Sequence, residues 1–403
     1  MAITIPDLPA TRKEWHQLAR MRGVESIPIH QIRKLESASK IKEEQFLALR
    51  VLWTTNQASE IDLEKEYNIK YRAEDAKDPK WNKHWMSYIK EVTKGLNGSA
   101  DLGTFDMLYD FQREISNLQP GPQETKKIFF GAITRARSRH MEPNPIFPPS
   151  TPTRAPKAYT SASDVLGDGM VSLNIGDETP FKTPKSDGGK SIVESVSPVT
   201  TEEAKLLPLV KDEQIVNTAL ILFLRGLCLR MSGLEEARWS IERKAFHFGQ
   251  QEFPEKKSLY EARTDGHFSL ITEDTPRSLS ILEVKAQARK ESKPWMQESA
   301  QMAAWIYDEP YAGNDSVQNF RRCMITQDRH EIYLIIATYD ENYVAYLQEK
   351  PLAKGADSFL QMHQIGPFTP TAEGHMERLG RIIVALTRQL VNQAKKGRPC
   401  FWY

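Results

Sequence analysis

Cysteine is scarce in this 403-residue chain: Cys228, Cys323 and Cys400 are odd in number and far apart. That excludes a disulfide framework or a thiolate zinc cage, and a reducing compartment is the expectation. A surplus of either charge is also missing. Lys plus Arg number 54 against 53 for Asp plus Glu, a formal net charge of +1. The protein is no polycation, so any nucleic-acid contact must rest on a local patch. Long apolar runs are absent too. The most apolar segment, EQIVNTALILFLRGLCLRM, is interrupted by Asn217, Arg225 and Arg230, and its longest apolar stretch is Ala219 to Leu224. A bilayer demands roughly 20 such residues. The opening MAITIPDLPATRKEW lacks the apolar centre of a secretory signal, and the closing CFWY has aromatics where a prenylation box wants aliphatics. A nuclear or cytoplasmic protein, not a secreted one, is expected. No G-x-x-x-x-G-K-[ST] loop occurs, which removes the P-loop ATPases. Ser299 has Glu298 beside it but no nearby base, so serine nucleophile chemistry is unsupported.

Proline, by contrast, is concentrated. Residues 141–202 hold nine of the 24 prolines, interleaved with Ser, Thr, Gly and Asp and only three aromatics. Such a stretch cannot bury enough surface to offset its ordering entropy, and it reads as a disordered linker. It contains Thr151-Pro152, Thr179-Pro180, Thr183-Pro184 and Ser197-Pro198, the minimal pattern of proline-directed kinases, although Ser, Thr and Pro meet by chance in any linker. From Lys126 to Lys157 seven basic residues face one acid, Glu142. They suit nuclear import or phosphate contact, or simply solvated helix ends.

Residues 1–140 read as a separate all-α module. IKEEQFLALRVLW has a broad apolar face, PKWNKHWMSYIKEVTKGL spaces Trp81, Trp85 and Val92 in helical steps, and LGTFDMLYDFQREI and TKKIFFGAITRARS add two more helices. Asp78 and Pro79 supply a cap and first residue for the second of these. No catalytic constellation lies here. If a protein partner is taken, this module is the part that takes it.

Residues 203–403 alternate helices and strands. After Asp212-Glu213 comes the buried apolar helix, then WSIERKAFHFG alternating like a strand. YEARTDGHFSL and SLSILEVKAQ, separated by the turn-rich TEDTPRS, form a hairpin. PWMQESAQMAAWIYD is helical by its spacing, with Gln297 and Gln301 one turn apart on one face. EIYLIIATY and NYVAYLQ read as two further strands, and TAEGHMERLGRIIVALTRQLVNQAKK as a long amphipathic helix that covers the sheet or pairs with another subunit.

The chemistry centres on Asp265 and, eighteen positions later, Glu283-Val284-Lys285. A strand repeats every two residues, so Glu283 and Lys285 project from one face while Val284 enters the core. Two acids on neighbouring strands suit a hard divalent cation, which prefers oxygen ligands, and the lysine suits a phosphate or the attacking water. An E-x-K triplet alone also fits a hairpin edge with a salt bridge. His247 and His267 flank the hairpin without a ligand-spaced partner.

With Arg263-Thr264-Asp265-Gly266, Glu283-Val284-Lys285 and Gln297-Glu298-Ser299-Ala300-Gln301-Met302, the chain resembles the PD-(D/E)XK nuclease superfamily, and within it the nuclease-like domains of many fungal proteins of unknown role. The resemblance spans about residues 205 to 392. It implies a restriction-endonuclease-like α/β core of helix, antiparallel strands, helix and strand, and a nuclease using Mg2+ or Mn2+ on nucleic acid, DNA ahead of RNA. By position it implies Asp265 and Glu283 as metal ligands, Lys285 as the catalytic lysine, Gln297 or Gln301 as the RecB-type glutamine, and Glu213 as the helix acid completing the metal site. Thr264 stands where the superfamily name has proline. Such domains also occur as inactive platforms, so a scaffold that binds partners or nucleic acid is the alternative.

Overall fold

The computed structural model describes residues 8–58, 61–71, 79–93, 101–116, 212–229, 231–249, 258–271, 277–287, 289, 293–310, 319–352, 358–370 and 372–397. In chain order the helices and strands are α1 (Arg12–Met21), α2 (Glu43–Ala48), β1 (Val51–Asn56), α3 (Leu63–Tyr67), α4 (Pro79–Thr93) and α5 (Asp106–Ser116). There follow α6 (Glu213–Cys228), β2 (Ala237–Ser240), β3 (Ala245–Phe248), β4 (Tyr260–Arg263), β5 (Gly266–Leu270), β6 (Ser280–Lys285) and α7 (Lys293–Asp308). The last are β7 (Phe320–Asp328), β8 (Glu331–Tyr339), α8 (Glu341–Leu347), β9 (Leu360–Phe368) and α9 (Glu373–Ala394). The expected linker 141–202, the basic span 126–157, the helix TKKIFFGAITRARS and the Asp78 cap lie outside the described residues.

The fold is mixed α/β. Seven strands run in the order β1-β9-β8-β7-β6-β5-β2, and β3 and β4 pair in a separate ribbon. Pairing is antiparallel except for β1 with β9 and β6 with β7. A parallel neighbour needs a crossover, and α7 supplies it between β6 and β7. Strand alternation then sends successive side chains to opposite faces. Leu282, Val284, Ile325, Leu334 and Ile336 meet α4, α5, α6 and α9 on one side. Ile281, Met324, Ile335 and Ala337 meet α1, α2, α7 and α8 on the other.

The apolar helix expected after Asp212 is α6, capped by the Asp212 side chain on Gln214 N at 2.9 Å. The C-terminal amphipathic helix is α9. Its Leu379, Ile383, Leu386 and Leu390 share a core with Leu334 and Ile336, so it covers the sheet. Of the expected hairpin, the part from Gly266 on forms as antiparallel β5 and β6, whereas Tyr260–Arg263 pairs with β3 in the separate ribbon.

The N-terminal part is not a separate all-α module. Met1–Gly121 and Glu202–Tyr403 make up one compact unit, and residues 51–56 are an edge strand of the main sheet. The helix expected over 41–53 stops at Ala48. Arg50 adopts φ of 53°, and β-branched and aromatic residues follow as β1. Trp53 Nε1 donates to Ser299 Oγ at 2.9 Å, and the Tyr343 and Tyr346 hydroxyls donate to Leu49 O at 2.8 Å and Ala48 O at 2.6 Å. These long-range bonds pull a helix-compatible sequence into the sheet.

NYVAYLQ is helical, not a strand. The Asp340 side chain accepts from Tyr343 N at 2.8 Å, and Tyr343, Tyr346 and Leu347 are buried at steps of three and four. WSIERKAFHFG breaks into β2 and β3, which belong to different sheets. Periodicity does not announce β7 or β9. The former carries Arg321 and Arg322 at its start, and the latter holds a Gly366-Pro367 pair inside its span.

Candidate metal centre

Ile281 and Glu283 point from β6 toward α7, while Leu282 and Val284 point toward α6. Glu283 is therefore almost wholly buried, at 3% exposure. A carboxylate taken out of water must be hydrogen-bonded or paired. Helical spacing on α7 meets that need. Gln297 Nε2 donates to Glu283 Oε1, and Gln301 Nε2 donates to Oε2 at 2.5 Å and to Arg263 O at 2.8 Å. Lys285, on the same face of β6, donates from Nζ to Glu283 Oε1 and to Val284 O at 3.1 Å.

Asp265 lies where the chain steps from one sheet into the other. Thr264 N still pairs with Lys244 O across the ribbon at 3.0 Å, whereas Asp265 N pairs with Leu282 O of β6 at 3.0 Å. Gly266 permits this step. A Cβ there would lie 2.4 Å from Ser240 O, so only glycine lets β2 approach β5 at this point. Two further bonds fix Asp265: its Oδ2 accepts from Val284 N at 3.0 Å, and its carbonyl accepts from Asn217 Nδ2 at 3.1 Å.

Glu213 enters from the first turn of α6, one turn before Asn217. Ligand oxygens of Glu213, Asp265 and Glu283 all lie within 4.8 Å of one another. Lys285 Nζ stands 3.7 Å from Glu213 Oε1, and Arg243 Nη2 stands 3.4 Å from Asp265 Oδ1. Only Glu213 of the three acids is substantially exposed, so the cluster opens to solvent on its side.

Crowding these charges perturbs them. Burial pushes the Glu283 carboxyl up to about 8, Asp265 pushes it the same way, and Lys285 pulls against both. Burial also raises Glu213, with Lys285 opposing and Asp265 adding. For Lys285 burial acts downward, but the Glu283, Glu213 and Asp265 carboxylates outweigh it and hold the ammonium protonated above its ordinary range. Three carboxylates with no softer donor among them match a hard divalent cation, which takes oxygen ligands.

All six residues singled out from sequence converge here. Gln297 and Gln301 both end on Glu283, so the choice between them dissolves. His247 and His267 stay out of the acid cluster: His247 N donates to Asp308 Oδ2 at 3.1 Å, and His267 is buried with Nδ1 3.3 Å from Ser278 Oγ. Ser299 is taken up by Trp53 and by Trp295 O, at 2.7 Å. Three contributors escaped sequence reasoning: Asn217, Arg243 and the Val284 amide. A polar residue one turn after Glu213 in an otherwise apolar helix was a readable signal for Asn217. Nothing local marked Arg243.

Next to the acids lies a second buried ion network. Arg289 forks onto Glu298, with Nη1 to Oε2 at 2.9 Å and a close Nη2 to Oε1 contact, while its Nε reaches Asp328 Oδ2 at 2.6 Å. Its remaining donor bonds reach Gln364 Oε1 at 2.9 Å and Thr326 Oγ1 at 3.0 Å. One guanidinium thereby ties α7, β7 and β9 together behind Lys285.

No family model matches the sequence, and neither a curated protein nor a solved structure matches it.

Proposed function

We propose that this chain is a metal-dependent phosphodiesterase acting on nucleic acid, built on a restriction-endonuclease-like core. In chain order α6 is followed by β2 to β6, then α7 and β7; β2, β5 and β6 form an antiparallel trio with β7 parallel to β6, and this supports the core. The observation that carries the activity is the meeting of three carboxylates within 4.8 Å with the Lys285 amine on the same rim.

Asp265, Glu283 and Glu213 would hold Mg2+ or Mn2+. When bound, such an ion lowers the pKa of a water and neutralises charge on a phosphate. Asp265 presents Oδ1, because Oδ2 is committed to the Val284 amide. Gln297 and Gln301 set the orientation of the Glu283 carboxylate. Lys285, kept protonated by its neighbours, serves as a fixed cation and hydrogen-bond donor toward a phosphate oxygen or the attacking water, not as a base. DNA is the preferred substrate on this reading.

The competing reading is an inactive platform that binds partners or nucleic acid. It rests on Glu283, whose carboxylate already accepts from Lys285, Gln297 and Gln301. Labelled single- and double-stranded DNA and RNA, incubated with and without Mn2+ beside Lys285→Ala and Asp265→Asn, separate the two. Manganese-dependent cleavage lost in both variants, with Mn2+ binding lost only in Asp265→Asn, is the expected result. Equal products from all three proteins would sink the nuclease, and the absence of any calorimetric heat with Mn2+ would leave the platform.

A further inference from the structure

Arg243 owes its position to the ribbon. The β3–β4 register pairs Ala245 with Arg263, and Lys244 continues the ladder opposite Thr264 through Thr264 N to Lys244 O at 3.0 Å. One residue further out the ladder puts Arg243 beside Asp265. Its Nη2 stands 3.4 Å from Oδ1, the one Asp265 oxygen that the Val284 amide leaves open. Its side chain is 53% exposed. The guanidinium therefore sits at the solvent edge of the acid cluster, on the very oxygen a cation needs.

Charge arithmetic gives this position a meaning. Glu213, Asp265 and Glu283 carry three formal negative charges, and Lys285 and Arg243 return two positive ones. A divalent cation would turn the cluster net positive, and a phosphodiester brings one negative charge to balance it. A guanidinium displaced from Asp265 has a planar fork of donors that matches two phosphate oxygens. An exposed arginine can turn that far without disturbing the core. Lys285, tied to Glu283 and to the Val284 carbonyl, has no such freedom.

We propose that Arg243 is a substrate-positioning residue that neutralises Asp265 before the cation arrives and then moves to a phosphate of the bound nucleic-acid strand. This rests on the nuclease reading and adds the residue that couples metal entry to substrate capture. Arg243 competes with the metal and cooperates with the phosphate. Its removal should therefore shift the two ligands in opposite directions, which a merely structural arginine would not do.

The test uses the full chain as wild type, Arg243→Ala and Arg243→Lys. Mn2+ alone is titrated by calorimetry, and a labelled oligonucleotide is titrated in Ca2+ over a series of salt concentrations. Arg243→Ala should bind Mn2+ several-fold more tightly than wild type. It should also bind the oligonucleotide about tenfold more weakly, with a salt slope reduced by about 0.7 to 0.9, the share of one lost phosphate contact. Arg243→Lys should recover part of the oligonucleotide affinity, since it restores the charge but not the fork. Unchanged affinities in Arg243→Ala, or a loss of both, would overturn the inference while a wild type that binds Mn2+ leaves the metal centre standing. A wild type that takes up no Mn2+ removes the metal centre and this inference together.

Discussion

Replacing Glu283 by Gln should make the metal-free protein more stable while abolishing the proposed cation binding. Folded Glu283 releases its proton only at about 8, against an ordinary value of 4.5. Between those limits the folded state holds more protons than the unfolded chain, so this group's contribution to stability is complete below 4.5 and is lost as pH rises toward 8. At about pH 7.5 the penalty spans three pH steps at roughly 1.4 kcal/mol each, on the order of 4 kcal/mol. Glutamine escapes that penalty but cannot accept from Gln297 and Gln301 at both ends as the carboxylate does. Gln301 can turn its amide to compensate, because its buried Oε1 has no hydrogen-bond partner. Lys285 loses its closest hydrogen-bond acceptor and keeps Glu213 at 3.7 Å. Allowing about 1 kcal/mol for each of these two losses leaves a net gain of about 2 kcal/mol. For a folded unit as large as Met1–Gly121 with Glu202–Tyr403 that is a rise in Tm of about 3 °C. Thermal unfolding in chelator-treated buffer at about pH 7.5 and again at about pH 5 reads it out, and the gain should shrink on acidification because the unfolded chain's Glu283 approaches its ordinary value of 4.5 and the cost of keeping the folded group protonated falls away. With Mn2+ the order should reverse, since only wild type gains binding energy. A variant no more stable than wild type near pH 7.5, or a gain indifferent to pH, would show that the buried carboxylate is not held against its will.

Four further outcomes follow from the packing. Gly266→Ala forces a methyl group against Ser240 O, which should cost about 1–3 kcal/mol in urea unfolding and weaken Mn2+ binding by shifting Asp265. Arg289→Met strands Glu298 and Asp328 as a buried like-charged pair, and chemical denaturation should register a loss of about 3–5 kcal/mol. Trp53→Ala should cost about 3–5 kcal/mol, because Trp53 is 2% exposed and bonded to Ser299. A fragment spanning residues 203–403 should fail to give a cooperative melt for the same reason, whereas an independent N-terminal module would predict a normal one.

Much of the acid cluster was readable along the chain. The two-residue repeat of a strand is enough to put Glu283 and Lys285 on one face with Val284 inward, and β6 keeps that alternation because both of its faces are covered. Helical spacing likewise places Gln297 and Gln301 together, though not on any particular target. The N-terminal strand was far less readable. IKEEQFLALRVLW satisfies a helical period, and only pairing with β9, some three hundred residues away, decides that Val51 onward extends. NYVAYLQ misleads in the other direction, since the Asp340 side chain tips an alternating aromatic segment into a capped helix.

Sequence alone determined the local matters: which stretches are helix or strand where the period is unambiguous, that Glu283 and Lys285 share a face, and that an apolar helix must be buried. Those follow from the backbone repeat and from hydrophobic burial, which act over a few residues. Tertiary structure decided the rest. That Glu213 and Asn217 reach Asp265, that Arg243 stands at its open oxygen and that β1 completes the sheet depend on contacts between segments far apart in the chain. Such contacts form only where many weakly favoured local arrangements agree at once, and no window of neighbouring residues carries that agreement.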